Sequence, residues 1–253
     1  TIYFVIPCYN EEAVLPETTR RLAEKLQAMQ SAGLIGKDSR VLYVDDGSKD
    51  KTWQLISQFH QEYPWVEGVK LAHNRGHQNA LLCGLMTAKD RCDAAISMDA
   101  DLQDDIDALD QFVTKFREGC DVVYGVRNKR DTDTWFKRTT AEGFNHADYR
   151  LMSQRALEAL SEYREENLFL RGIVPLIGYR SDTVYYDRHE RFAGESKYPL
   201  KKMISFALDG ITSFSVKPLK LISNLGILIS VLSIFGLLYA LISYFAGVAV
   251  SGW

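Results

Sequence analysis

The chain has 253 residues, 46% of them apolar and 25% charged, a balance that fits a folded protein with a sizeable core and excludes a disordered or fibrous chain. Thirty Lys and Arg against 33 Asp and Glu give a formal net charge of −3, so no general attraction to nucleic acid is expected and any basic partner surface must be local. The four cysteines, Cys8, Cys83, Cys92 and Cys120, form no CxxC pair, which argues against a zinc site or a disulfide framework and suits a reducing cytosolic face.

From the N-terminus, short apolar runs alternate with amphipathic stretches. "IYFVIP", "RVLYVD", "VEGVKL", "DAAISMD" and "DVVYG" predict strands, and the apolar spacing near 11–30, 50–62, 76–89 and 105–118 predicts helices. Strand and helix in repetition imply an α/β domain with a mostly parallel sheet and helices on both faces. Ligands of such sheets bind beyond the carboxyl ends of the strands. The polar clusters fall there: "PCYNEE", "DDGSKD", "DADLQDD" and "GVRNKR".

In "VDDGSKDKT", Gly47 permits a sharp turn and Ser48 or Asp50 suits the cap of the next helix. Capping does not account for a doubled aspartate at the strand end, where a carboxylate can accept from a base N–H or a ribose hydroxyl. In "SMDADLQDD", five acids and amides occupy the seven positions 99–105. Asp99 and Asp101, one residue apart at a strand end, can reach one side of a divalent ion whose shell is completed by diphosphate oxygens. Asp104 and Asp105 are read as the start of the helix "DIDALDQFVTKF", where negative charge suits the positive end. No GxGxxG, GxxxxGK[ST] or GxSxG occurs, so dinucleotide oxidoreductase, P-loop and nucleophile-elbow chemistries lose their usual support.

Residues 126–150 are rich in charge and read as a loop. Helical patterns return at 153–163 and 166–177, followed by the strand-like "SDTVYYDRHE". The segment 191–220 predicts an amphipathic helix with lysines on its polar side, suited to a membrane interface. From Leu221 to Trp253 no charged residue occurs, and the apolar run exceeds the roughly 20 residues needed to cross a bilayer. Lys201, Lys202, Lys217 and Lys220 just before it put the preceding domain in the cytoplasm. A second span beyond the end of this sequence is expected.

Seven motifs in order, "VIPCYNEE", "VDDGSKDKT", "NRGHQNALLCGL", "MDADLQDD", "ADYRLMS", "NLFLRGI" and "RFAGESKY", resemble the family 2 glycosyltransferases of GT-A fold. Within them the chain is most similar to the membrane-anchored polyprenyl-phosphate glycosyltransferases, the group of the bactoprenol glucosyltransferases and dolichyl-phosphate mannose synthase. The resemblance implies a GT-A catalytic domain over 1–190, a juxtamembrane segment over 191–220 and a transmembrane region over 221–253. It implies that Pro7, Tyr9, Asn10, Glu11 and Asp45 line the base and ribose, with Arg75 and Gln78 beside them. Asp99 and Asp101 would hold Mg2+ or Mn2+ against the diphosphate, with Gln103 as a neutral ligand.

Arg127, Arg191 and Lys197 are the cations implied for a lipid phosphate, which arginine forks suit. Arg130 and Arg138 are weaker candidates, and Gly194 would let the backbone pass close to the phosphates. Asp148 matches the aspartate usually described as the catalytic base. A phosphate monoester has a second pKa near about 6 and hardly needs a base, so orienting the acceptor or stabilising positive charge on the sugar suits Asp148 equally.

The family's segment between "TAEGF" and "ADYR" is longer than the one here, so the geometry around 139–147 is expected to depart from the family's. The implied reaction is inverting transfer from a nucleotide sugar to polyprenyl (undecaprenyl) phosphate at the cytoplasmic membrane face. UDP-glucose or UDP-N-acetylglucosamine is the expected donor, with GDP-mannose the alternative. A processive polysaccharide synthase is disfavoured because no Arg-Trp pair occurs, and a non-catalytic nucleotide-sugar scaffold because both carboxylates and the acceptor motifs are present. A homo-oligomer, a tetramer included, is also implied, and no nucleic-acid partner.

Overall fold

In the computed structural model, residues 1–128, 148–163, 170–187 and 217–246 are described. The chain divides into two compact units, Thr1–Ser196 and Lys197–Trp253.

The first unit is built on a seven-stranded sheet. Its strands are β1 (Ile2–Cys8), β2 (Arg40–Asp45), β3 (Val66–Lys70), β4 (Ala94–Ser97), β5 (Val122–Arg127), β6 (Arg150–Ser153) and β7 (Ser181–Tyr186), in the spatial order β3-β2-β1-β4-β6-β5-β7. The pairs β1–β2, β2–β3, β1–β4 and β5–β7 are parallel, while β6 runs antiparallel to both β4 and β5. All seven residues of β1 are buried. Such a strand belongs in the middle of a sheet covered on both faces.

Alternation along β1 divides the core. Ile2, Phe4 and Ile6 pack in one cluster with Leu15, Leu22, Ile56 and Phe112, from α1 (Leu15–Ser31), α2 (Thr52–Glu62) and α4 (Leu109–Arg117). Tyr3 and Val5 pack on the other face with Leu81, Leu85, Leu157 and Ile173, from α3 (His77–Ala88), α5 (Gln154–Ser161) and α6 (Leu170–Leu176). Period-2 strands and helices with one apolar stripe are thereby satisfied on both sides of one sheet.

The five strands expected before residue 125 are present, and so are the four helices between them, with α4 preceded by a 3-10 turn at Ile106–Ala108. Two expectations need correction. The stretch 126–150 is not loop throughout, because β5 runs to Arg127 and β6 begins at Arg150. Four residues, "RLMS", are too short to show a period, and a leading arginine masks a strand that is wholly buried. Nor does Ser48 cap the second helix: its Oγ accepts from Asn10 N, while Asp50 Oδ1 accepts from Thr52 N.

The second unit contains α7 (Lys217–Phe245), whose segment Ile222–Phe245 has a mean hydropathy of 2.5 and is long and apolar enough to cross a membrane. The amphipathic helix expected over 191–220 lies almost entirely outside the described residues, as do Arg130, Arg138, Arg191, Gly194, Lys197 and the segment 139–147.

Candidate active site

The loops after β1 and β2 are laced together. Asp46 N donates to Cys8 O at 2.9 Å, Asn10 N to Ser48 Oγ at 2.9 Å, Lys49 N to Asn10 Oδ1 at 2.9 Å and Glu11 N to Thr52 Oγ1 at 2.8 Å. Pro7 is thus the next-to-last residue of a buried strand, while Tyr9, Asn10 and Glu11 are half-buried along its rim. Asn10 takes a left-handed φ of 53°, which asparagine tolerates better than most residues. Gly47, at φ 67°, is obligatory: a Cβ there would lie 2.6 Å from the backbone carbon of His73.

The doubled aspartate has two separate duties. Asp46 accepts from Arg75 N at 2.6 Å and Gly76 N at 2.9 Å, and so fixes the turn that leads into α3. Burial raises its pKa, against these hydrogen bonds. Asp45 is fully buried; its Oδ1 accepts from Ser48 N at 3.1 Å and its Oδ2 has no hydrogen-bond partner. A buried carboxylate oxygen left unsatisfied costs free energy until a donor arrives, which suits a ligand N–H or O–H.

The Asp46 anchor sets the start of α3, and there lies the contact that the sequence reading did not assign. His77 Nε2 stands 3.7 Å from Asp99 Oδ1 and 3.4 Å from Asp148 Oδ2. Burial opposes a charged ring, but the Asp148 hydrogen bond and the charges of Asp99 and Asp148 outweigh it and raise the His77 pKa. Gln78 also meets Asp148, 3.4 Å from each carboxylate oxygen, and its Oε1 is buried without a partner. Arg75 contributes its backbone; its side chain is exposed.

Asp148 is the hub. Arg150 Nη2 donates to Oδ1 at 2.8 Å, Arg171 Nη2 to Oδ2 at 3.0 Å and Arg171 Nε to Oδ1 at 3.3 Å. Arg150 is 1% exposed, reaching Asp148 from β6 where its backbone is paired opposite Ser97 of β4. Ser97 Oγ in turn donates to the Asp148 carbonyl. Burial pushes the Asp148 pKa up, but His77, Arg150 and Arg171 prevail and hold the carboxyl well below the usual range. "NLFLRGI" and "NRGHQNALLCGL" contain Arg171 and His77, but only a folded chain brings residues 77, 148, 150 and 171 together.

The acidic turn after β4 carries the oxygen-bearing side chains Asp99, Asp101 and Gln103. Leu102, buried yet at φ 59°, turns the backbone between Asp101 and Gln103, and Asp101 Oδ1 accepts from Gln103 N at 3.1 Å. Burial first, then the charges of Asp148 and Asp101, raise the Asp99 pKa, with His77 opposing. Among the described residues no three His, Cys, Asp or Glu side chains converge on a ready-made metal cage. Two carboxylates and an amide still fit Mg2+ or Mn2+: they are hard oxygen donors at a site of excess negative charge.

The second half of the acidic stretch divides differently than expected. Asp105 caps the 3-10 turn through Asp107 N at 2.9 Å, as read. Asp104 does not start the helix. It is 3% exposed and accepts from Tyr186 Oη at 2.7 Å, with Arg127 Nη2 at 3.8 Å. Burial and the charge of Asp99 lift its pKa to about 6, against Tyr186 and Arg127.

Residues 3–222 match the family described as Glycosyl transferase family 2. The chain is 53% identical over 262 residues to the uncharacterized glycosyltransferase YkoT of Bacillus subtilis (strain 168), covering 98% of this chain and 78% of the relative. It is 35% identical over 270 residues to the prophage bactoprenol glucosyl transferase homolog of Escherichia coli (strain K12), covering 100% of this chain and 85% of the relative. Among solved structures, the mannosyltransferase PcManGT from Pyrobaculum calidifontis, in complex with GDP-Man and Mn2+, is similar with a TM-score of 0.54 and 16% identity over 91% of this chain and 80% of that one, a likeness of fold.

Proposed function

This chain belongs to glycosyltransferase family 2, and we propose that it transfers a monosaccharide, with inversion, from a nucleotide sugar to polyprenyl (undecaprenyl) phosphate at the cytoplasmic membrane face. UDP-glucose or UDP-N-acetylglucosamine is the proposed donor. The acceptor and glucose are favoured by the 35% identity to a bactoprenol glucosyl transferase homolog, and the membrane setting by the apolar length of α7.

One observation carries the reading. A single imidazole, His77, spans Asp99 at 3.7 Å and Asp148 at 3.4 Å, so the carboxylate suited to a metal and diphosphate and the carboxylate suited to the sugar are next-door neighbours. Asp45 and the rim of Tyr9, Asn10 and Glu11 would take the base and ribose, leaving the sugar over Asp148. Asp99 and Asp101, with Gln103, would hold Mg2+ or Mn2+, whose chemistry when bound is to neutralise charge on the departing nucleoside diphosphate.

In the proposed step a lipid-phosphate oxygen forms a bond to the anomeric carbon as the bond from that carbon to the diphosphate breaks. The phosphate is already largely dianionic at neutral pH, so no base is required. Asp148, its oxygens engaged by His77, Arg150 and Arg171, is a poor proton acceptor. Its role here is a fixed negative charge beside the sugar as positive charge develops on the ring. Arg127 at the end of β5 supplies the acceptor-side cation, with Arg191 and Lys197.

The test is incubation of the full chain in membranes with labelled nucleotide sugars and undecaprenyl phosphate, with and without EDTA. Label in the lipid fraction that vanishes with EDTA is expected. Asp101→Asn should abolish it and Asp105→Ala, a cap change, should preserve it while costing about 1 kcal/mol of stability.

A further inference from the structure

Asp104 is a buried carboxylate that the proposed reaction does not use, and its partners lie on two other strands. Tyr186, the last residue of β7, sits directly opposite Arg127, the last residue of β5, in a parallel register. The tyrosine Oη accepts from Arg127 Nε at 3.3 Å and donates to Asp104 Oδ1 at 2.7 Å. Its ring is 2% exposed, packed edge-on against Tyr149 at 5.2 Å. Gly125 makes that placement possible, since a Cβ there would stand 3.0 Å from Tyr186 Cε1 and 2.9 Å from the Tyr149 carbonyl oxygen. The Arg127 side chain is 38% exposed, whereas Asp104 is buried. A buried, oriented chain therefore ends in a solvent-facing cation.

We propose that Asp104 and Tyr186 are positioning residues for Arg127, holding its Nε edge from below so that the guanidinium is presented to the phosphate of the lipid acceptor. The proposal rests on the reading of Arg127 as an acceptor-side cation and deepens it. An arginine side chain loses considerable rotamer freedom when it binds, and one already held at Nε loses less. The same chain ties the acidic turn after β4, which would carry the donor diphosphate, to the acceptor cation at the end of β5.

Steady-state kinetics of the full chain in detergent or vesicles, varying a nucleotide sugar and undecaprenyl phosphate separately, test this. Tyr186→Phe keeps the ring and removes the hydroxyl. It should raise the acceptor KM about tenfold, the size of one lost hydrogen bond to a charged group, with kcat and the donor KM within about twofold of wild type. Asp104→Asn should shift the acceptor KM in the same direction, and the double variant should be no worse than Tyr186→Phe alone, because the residues act as one unit. The double variant also removes the stranded buried carboxylate, so it serves if Tyr186→Phe folds poorly. If Arg127→Ala raises the acceptor KM while neither Tyr186→Phe nor the double variant does, the positioning role is overturned and the Arg127 reading stands. If Arg127→Ala leaves the acceptor KM unchanged, both fall together.

Discussion

Asp148 is where the chemistry and the stability of the site meet. Its carboxylate neutralises Arg150, a guanidinium 1% exposed whose Nε already lacks a partner. Asp148→Ala should therefore cost about 3–5 kcal/mol in denaturant unfolding, the penalty of leaving a buried charge uncompensated. Asp148→Asn should cost less stability yet, on the proposed role of Asp148 beside the sugar, lower kcat by about a hundredfold or more. The pH dependence follows from the depressed pKa. A carboxyl whose folded pKa lies below its unfolded value contributes stability that is present above about pH 4 and is lost as pH falls towards the folded value. The stability gap between wild type and Asp148→Asn should shrink on acidification below about pH 4; a gap that widens would contradict the ion-pair account. Of these residues, Asp99, Asp101 and Asp148 stand out in the sequence as candidates because strand-end carboxylates and family motifs mark them. His77, Arg150 and Arg171 were not assigned, because what makes them matter is convergence from three elements, and Asp104 was misread because its spacing alone suits a helix start.

At the scale of elements, the short antiparallel strand β6 is the device that brings Asp148 and Arg150 beside β4. The parallel βα half of the molecule is written in strong alternation and could be read from 2 to 125. The β6–β5–β7 half is held by cross-strand pairing, buried charge and aromatic contacts that have no period. Gly125 exemplifies this: its absent side chain is occupied by Phe112, Tyr149 and Tyr186. Gly125→Ala must move the Tyr149 backbone carbonyl and two packed rings, and should lower stability by about 1–3 kcal/mol by overpacking. Thermal melting that leaves the variant at the wild-type Tm would contradict the packing described for this edge.

At the scale of the whole chain, a GT-A α/β unit is followed by a helix, Ile222–Phe245, long and apolar enough to cross a bilayer. The near-neutral charge gives no general attraction to nucleic acid, and the apolar C-terminal run was legible from its length alone. What the sequence left open is the sugar, because donor specificity rests on the shape of the surroundings of the bound sugar and not on the strand-end motifs. The central claim, metal-dependent transfer to a lipid phosphate, is tested most directly by following label from a nucleotide sugar into the lipid fraction of membranes carrying either wild type or Asp101→Asn. Label that enters the lipid with wild type, disappears with EDTA and is absent with Asp101→Asn is the predicted result. Undiminished lipid labelling in EDTA, or none from any nucleotide sugar with undecaprenyl phosphate present, would contradict it.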